Sequence, residues 1–332
     1  MALEVIGIGK PCVDLIVKVD HLPNRDESLP MEDYTMQGGG KVPTALVAAA
    51  RLGCKAGFIG KVGRDTFGNF IAEDFLNHGI DVTYLTREEG KTSPFSVVLS
   101  DSRGQGRSII WEKGTVGELK WEEINQDYLK QAPYVHLAGS SPEEQKIARA
   151  ARENGSRIVY DADFYEETVE EILSFVHVLI PSQQFAASYA QKKLVSIQDY
   201  LEVAKDLSKF GAETVIITLG KEGAVGYYQN RGFHQPAFPV PALDTTGAGD
   251  VFHGAFIAGL LQRLAVEDCT KFASAAAALK TLALGGRAGI PILGDIQKFL
   301  ATGQAEVKDK EQRVTYYKRA LHYFSPGGTV CV

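Results

Sequence analysis

A chain of 332 residues, 45% hydrophobic and 23% charged, can bury a large core and has the composition of a globular protein of about two domains. The net charge of −6 excludes the broad basic footprint of a nucleic-acid binder, though not a local site for an anionic substrate. The cysteines, Cys12, Cys54, Cys269 and Cys331, form no C-x-x-C pair or zinc-ligand spacing and read as small buried thiols. The chain enters a strand-like run without a basic leader and has no run of 18 apolar residues. A cytoplasmic protein with no membrane span is expected.

In chain order, residues 5–9 read as a buried strand. Residues 12–36 hold a β-rich run, a Pro-containing turn and a second run over 29–36, the pattern of an antiparallel hairpin. A helix over 44–53 ended by Gly53, a strand over 55–60 and a helix over 68–78 ended by Gly79 follow. Residues 92–111 repeat the hairpin pattern about a Gly-rich turn at 103–106. Strands over 134–138, 157–161, 176–181 and 214–219 then accompany helices over 143–153, 196–210 and 251–263. This alternation predicts an α/β fold with a mostly parallel sheet, which binds ligands at the carboxyl ends of its strands. The expected body covers 1–11, 37–90 and 112–305, and the two hairpins (12–36 and 91–111) form a small sheet projecting from it. In the tail, 306–332, helical character is confined to 309–322, and the final Ser-Pro-Gly-Gly-Thr-Val-Cys-Val reads as loose or strand-like.

The most informative stretch begins Asp244-Thr245-Thr246-Gly247-Ala248-Gly249-Asp250 and continues into Phe252, Ala255, Phe256 and Leu260 at helical spacing. Small residues between two acids, followed by such a run, are the pattern of a loop entering a helix N-terminus. Free N–H groups and the helix dipole make that terminus an anion site. Asp250 then has two readings: an N-cap after a glycine turn, or a base that removes an alcohol proton beside the anion hole. No G-x-x-x-x-G-K-[ST] element occurs, and Gly7-Ile8-Gly9-Lys10 lacks the third glycine of a dinucleotide fingerprint.

Asp-Thr-Thr-Gly-Ala-Gly-Asp resembles the C-terminal signature of the ribokinase family, the phosphofructokinase-B-type carbohydrate kinases. The segment Gly38-Gly39-Gly40-Lys41-Val42-Pro43-Thr44 with its following helix resembles that family's N-terminal motif, and Gly60-Lys61-Val62-Gly63-Arg64-Asp65 resembles the segment after it. Order and spacing agree over about 3–300. The resemblance implies a ribokinase-like three-layer sandwich with a β-sheet lid, and an ATP- and Mg2+-dependent kinase acting on a sugar. It makes Asp250 the catalytic base and Gly247, Ala248 and Gly249 the anion hole. It assigns Asp14, Gly39, Gly40, Lys41 and Thr44 to the sugar, with Thr44 standing where the family usually has Asn. Thr218, Gly220 and Gly223 fall on the nucleotide, as does Ser274, on a small-residue face that suits either adenine or helix packing. Asp244 and the loop at Gly285 are expected to hold a monovalent cation such as K+.

Where the family carries Asn-x-x-Glu this chain has Pro181-Ser182-Gln183-Gln184-Phe185, so magnesium is expected to rely on phosphate oxygens, waters, Asp161 and Asp163. That departure, with the Arg-Ser-Ile-Ile string at 107–110, resembles ketohexokinase-like members and points to a ketose such as fructose. Ribokinase, nucleoside kinase and sugar-phosphate kinase activities are the alternatives, and a catalytically weak sugar-binding regulator is the alternative of another class. Open edges on the projecting hairpins lead us to expect a homodimer through the lid.

Overall fold

In a nine-stranded sheet, successive residues of β1 (Val5–Ile8) feed opposite cores, because strand side chains alternate faces. Val5 joins a core with Val42 and Leu46, Phe70 and Phe75, and Phe252 and Phe256. Ile6 and Ile8 join another with Leu129, Ile147, Ile172, Phe185 and Leu207. The body is therefore helix, sheet, helix. The computed structural model describes residues 2–103 and 106–320. One helical layer holds α1 (Lys41–Arg51) and α2 (Thr66–Asn77). The other holds α3 (Gln126–Leu129), α4 (Pro142–Glu153), α5 (Val169–Leu173), α6 (Gln183–Ala190) and α7 (Ile197–Leu207). The chain then returns to the first layer with α8 (Ala248–Leu261), α9 (Val266–Lys280), α10 (Leu293–Thr302) and α11 (Lys310–Arg319). Among the described residues no helix is long and apolar enough to cross a membrane.

Seven strands of the large sheet are parallel: β1, β4 (Ala56–Gly63), β5 (Asp81–Glu88), β8 (Tyr134–Leu137), β9 (Arg157–Ala162), β10 (Val178–Pro181) and β11 (Thr214–Thr218). An antiparallel pair, β12 (Ala224–Tyr228) and β13 (Arg231–Gln235), extends the β11 edge. β5 was not expected, because as an edge strand it is mixed in polarity and buries only Leu85 fully.

The hairpins form as expected: β2 (Cys12–Val19) with β3 (Asp33–Gly39), and β6 (Phe95–Asp101) with β7 (Arg107–Glu112). They merge into one four-stranded sheet through a parallel β2–β6 pairing, which adjacent-sequence reasoning did not foresee. Ile16 and Val98 of this sheet pack on Leu284. The second strand of the first hairpin runs later than expected and takes in Gly38 and Gly39. A side chain at Gly38 would overlap Arg287, and one at Gly39 would overlap the Asp14 carboxylate, so those two groups lie directly over the strand. The helical reading of 309–322 corresponds to α11, and the part of it past 320, with the end of the tail, lies outside the described residues.

Candidate active site

Gly247 turns the chain into α8 with φ +72, a left-handed conformation in which a Cβ would crowd the Gly286 backbone. Ala248, Gly249 and Asp250 follow as the first turn. The Ala248 N–H donates to Thr245 O (3.1 Å) and the Val251 N–H to Gly247 O (3.0 Å). The amides of Gly249 and Asp250 lie in the turn where a helix supplies no acceptor, and the space beside Gly249 is open. Asp250 is thus the third helical residue and not the N-cap, which is Gly247.

Asp161 at the carboxyl end of β9, and Asp163 just beyond it, face Asp250 closely enough to act on its ionisation. Burial, then the two neighbouring carboxylates, raise the Asp250 carboxyl well above its ordinary range, while Lys41 and Arg107 of β7 oppose the rise. Burial also pushes Asp161 up to about 6. Lys41, from the start of α1, forms an ion pair with Asp163 (2.6 Å) and so leans toward the acids as well as the Gly39–Gly40 turn. Burial lowers the Lys41 ammonium, but Asp161 and Asp163 outweigh it and the net shift is upward. Behind Asp161, His253 Nε2 lies 3.7 Å from Oδ1 and its ring stacks on His136 at 5.4 Å. Burial lowers His253 to about 3 and His136 to about 4, so both imidazoles are neutral at pH 7.

On the other side of the cleft, Ser96 Oγ of β6 donates to Asp14 Oδ1 (2.6 Å), as does Cys12 Sγ (3.3 Å), while Oδ2 lies over Gly39. Gly40 takes φ +92, where a Cβ would meet Lys10 O. Thr44 is buried, and its hydroxyl lies 3.5 Å from Arg287 Nε, turned into the core.

Asp244 is buried beneath the anion loop. Its Oδ1 accepts from Thr246 N (3.0 Å) and Thr246 Oγ1 (2.8 Å), and its Oδ2 from Gly285 N (2.7 Å). Burial raises this carboxyl, yet Lys280 and those donors outweigh it and hold it below its usual range. Gln37 of β3, fully buried, secures the facing loop: its amide donates to Leu284 O (2.8 Å) and accepts from Arg287 N (2.6 Å) and Ala288 N (3.0 Å). Arg287 pairs with Asp74 of α2 and donates to Gly39 O (3.1 Å). Asp74 also accepts from Tyr317 OH (2.9 Å), and Arg313 donates to Ala288 O (3.1 Å) and Arg287 O, so α11 braces the loop from behind.

Thr218, Gly220 and Gly223 lie further along the same carboxyl edge, at the β11–β12 turn, and Ser274 is on α9, which packs against β12 and β13. The Ser274 hydroxyl is buried without a protein partner. Among the described residues no three His, Cys, Asp or Glu side chains are placed to hold a metal ion by themselves. A cavity of about 200 Å³ borders Lys41, Gly139 and Asp163. A larger one of about 360 Å³, bordered by Lys10, Lys61, Gly114 and Ser141, touches none of the residues assigned from sequence. Sequence reasoning missed Ser96, Gln37, His253 and Lys280. The only signal available was Lys280, a charge inside the run Ala-Ala-Ala-Ala-Leu-Lys-Thr-Leu-Ala-Leu.

A loop with two acids that enters a helix N-terminus at the carboxyl edge of a parallel sheet, set across from the Asp14 carboxylate, is an arrangement suited to phosphoryl transfer. Residues 2–293 match the pfkB family carbohydrate kinases, and the chain belongs to that family. It is 27% identical over 297 residues to the ribokinase of Haemophilus influenzae, covering 88% of this chain and 97% of that one. It is also 27% identical over 331 residues to the 5-dehydro-2-deoxygluconokinase of Clostridium perfringens, covering 93% and 94%. A solved structure of Arabidopsis thaliana ribokinase complexed with ribose and ATP shares the fold, with a TM-score of 0.77 at 23% identity over 90% of this chain and 99% of that one.

Proposed function

We propose that this kinase transfers the γ-phosphoryl group of ATP to a hydroxyl of an unphosphorylated keto sugar such as fructose. The observation that carries the reading is Asp250 on the first turn of α8, raised in pKa and flanked by unused helix amides. Asp250 takes the hydroxyl proton as the sugar oxygen bonds to the γ-phosphorus, the bond to the bridging oxygen breaks, and ADP departs. The Gly249 and Asp250 amides stabilise the charge on the transferring oxygens, while the Ala248 amide is already engaged by Thr245 O and, with Gly247, shapes the turn; one such donor is worth about 3–4 kcal/mol in a transition state. Magnesium bound with the nucleotide would neutralise phosphate charge. Asp161 and Asp163 suit it as hard oxygen donors and would hold its waters, since two carboxylates alone do not complete a shell. Thr218, Gly220, Gly223 and Ser274 would border the nucleotide. The four-stranded sheet would cover the sugar as a lid.

Asp14, held by Ser96 and Cys12 on one oxygen, presents the other to ring hydroxyls. Asp14→Ala is expected to cost about 2–4 kcal/mol in kcat/KM. The decisive comparison is kcat/KM for fructose, ribose, 5-dehydro-2-deoxygluconate, adenosine and fructose 6-phosphate under one set of conditions. Fructose should lead; ribose, adenosine or fructose 6-phosphate ahead by about tenfold or more rejects the keto-sugar assignment, whereas 5-dehydro-2-deoxygluconate ahead keeps a keto acceptor and replaces fructose. No ATP consumption with any of them, or with a broader panel of sugars, rejects the kinase reading in favour of a sugar-binding regulator.

The outer strand of the lid, β7, exposes Ile110 (67%) and Trp111 (70%) on an unpaired edge. Such an edge is normally paired or covered. A homodimer through the lid is expected, and Trp111→Glu should dissociate it. Light scattering that finds wild-type monomer at and above assay concentrations contradicts the dimer.

A further inference from the structure

We propose that the ε-ammonium of Lys280 is the built-in monovalent cation of this site, so that phosphoryl transfer needs no K+. Asp244 and the loop at Gly285, assigned from sequence to a monovalent cation, do not fit one. Both Asp244 carboxylate oxygens accept from protein donors, Thr246 on one and Gly285 on the other. The Asp244 carbonyl, an oxygen that would otherwise serve an ion, accepts from Lys280 Nζ at 3.0 Å. Lys280 is fully buried, and an ammonium held there repels a second cation at short range in low dielectric.

The surroundings explain what the charge does. Lys280 ends α9, where a cation also meets the negative end of the helix dipole. The next residue, Thr281, accepts from Leu243 N (2.7 Å) and Asp244 N (3.2 Å) through its carbonyl. A side chain at Gly289 would overlap Lys280 O, so the loop after Gly285 wraps closely around the same helix end. One buried charge thus anchors the segment entering the 244–250 loop and, through Asp244, the loop facing it. Lys280 is a positioning residue: it touches no reacting atom and acts through Asp244 on 247–249.

The inference rests on the kinase reading for its rate measurements only. Wild-type rates should be equal in K+ and in tetramethylammonium at constant ionic strength. Its melting temperature should be the same in both salts, and Tl+, a K+ mimic seen by 205Tl NMR, should show no bound signal. Lys280→Met keeps the length and removes the charge. Its kcat should fall about tenfold or more with the sugar KM within about twofold; in Lys280→Ala, which also vacates the space, K+ should restore about threefold or more and raise the variant's melting temperature. Activation of the wild type by K+, a bound Tl+ signal in the wild type, unchanged kcat in Lys280→Met, or a loss in Lys280→Ala that K+ leaves untouched overturns the proposal. If Lys280→Met does not fold, the wild-type melting and Tl+ measurements decide. Those two also decide if no sugar is turned over, so failure of the kinase reading is separately visible.

Discussion

Replacing Asp250 by Asn should lower kcat by about 10²–10⁴-fold, with ATP affinity close to wild type. The amide keeps the shape and the place on the first turn of α8 but cannot take a proton. Burial and the carboxylates of Asp161 and Asp163 set the native group above the ordinary carboxylate range, nearer to working pH, where a base combines correct ionisation with driving force. The sign of the pH dependence follows. The base works only when deprotonated, so wild-type kcat/KM should fall as pH drops through that raised value. Asp250→Asn should lose this acid limb as well as rate. A variant that turns over at more than half the wild-type rate would remove Asp250 from the role of base.

The largest loss of stability should come from Asp74→Ala. Asp74 and Arg287 are both fully buried and paired, with Tyr317 OH on the second Asp74 oxygen. Removing one member strands a guanidinium in the core, a cost of about 3–5 kcal/mol. Burial pushes the Asp74 carboxyl up, but Arg287 and His78 outweigh it and the native value lies below the unfolded one. The pair's contribution is therefore present above the unfolded pKa of Asp and is lost as pH falls through the lowered native value. His78, brought down to about 4 by burial, adds to acid sensitivity, because its protonation would place a charge beside Arg313. Chemical denaturation of Asp74→Ala at pH 7 measures the loss; a change under about 1 kcal/mol would mean that the core relaxes around the stranded charge.

The strand–helix alternation that makes an α/β body was legible because apolar period and glycine stops are local, although β5, the β12–β13 pair and several shorter helices were not. So was the turn into α8, because a loop entering a helix writes small residues, an acid and an apolar stripe into adjacent positions. What was hidden is tertiary. The β2–β6 pairing joins segments about eighty positions apart, and nothing in either hairpin specifies a parallel partner. Ser96 reads as an ordinary strand serine until that pairing sets it against Asp14. Gln37 and Arg287 are of residue types usually found exposed, whereas each is buried because hydrogen bonds between their two segments satisfy it. Gly38 and Gly39 were legible as part of a glycine motif, but not as strand, since the groups that lie over them come from Arg287 and Asp14.

The bracing of the 284–288 loop by α11 has a consequence for synthesis. Gly39 and Asp74 leave the ribosome long before the groups that finish the setting of the loop between them, Arg313 and Tyr317. A nascent chain that has completed both sheets still lacks a donor to Asp74 and the clamp on the Arg287 and Ala288 carbonyls. The setting of the 284–288 loop is accordingly completed late, after most of the fold is in place, and a ribosome that stalls after α10 would leave a folded body with that loop unbraced.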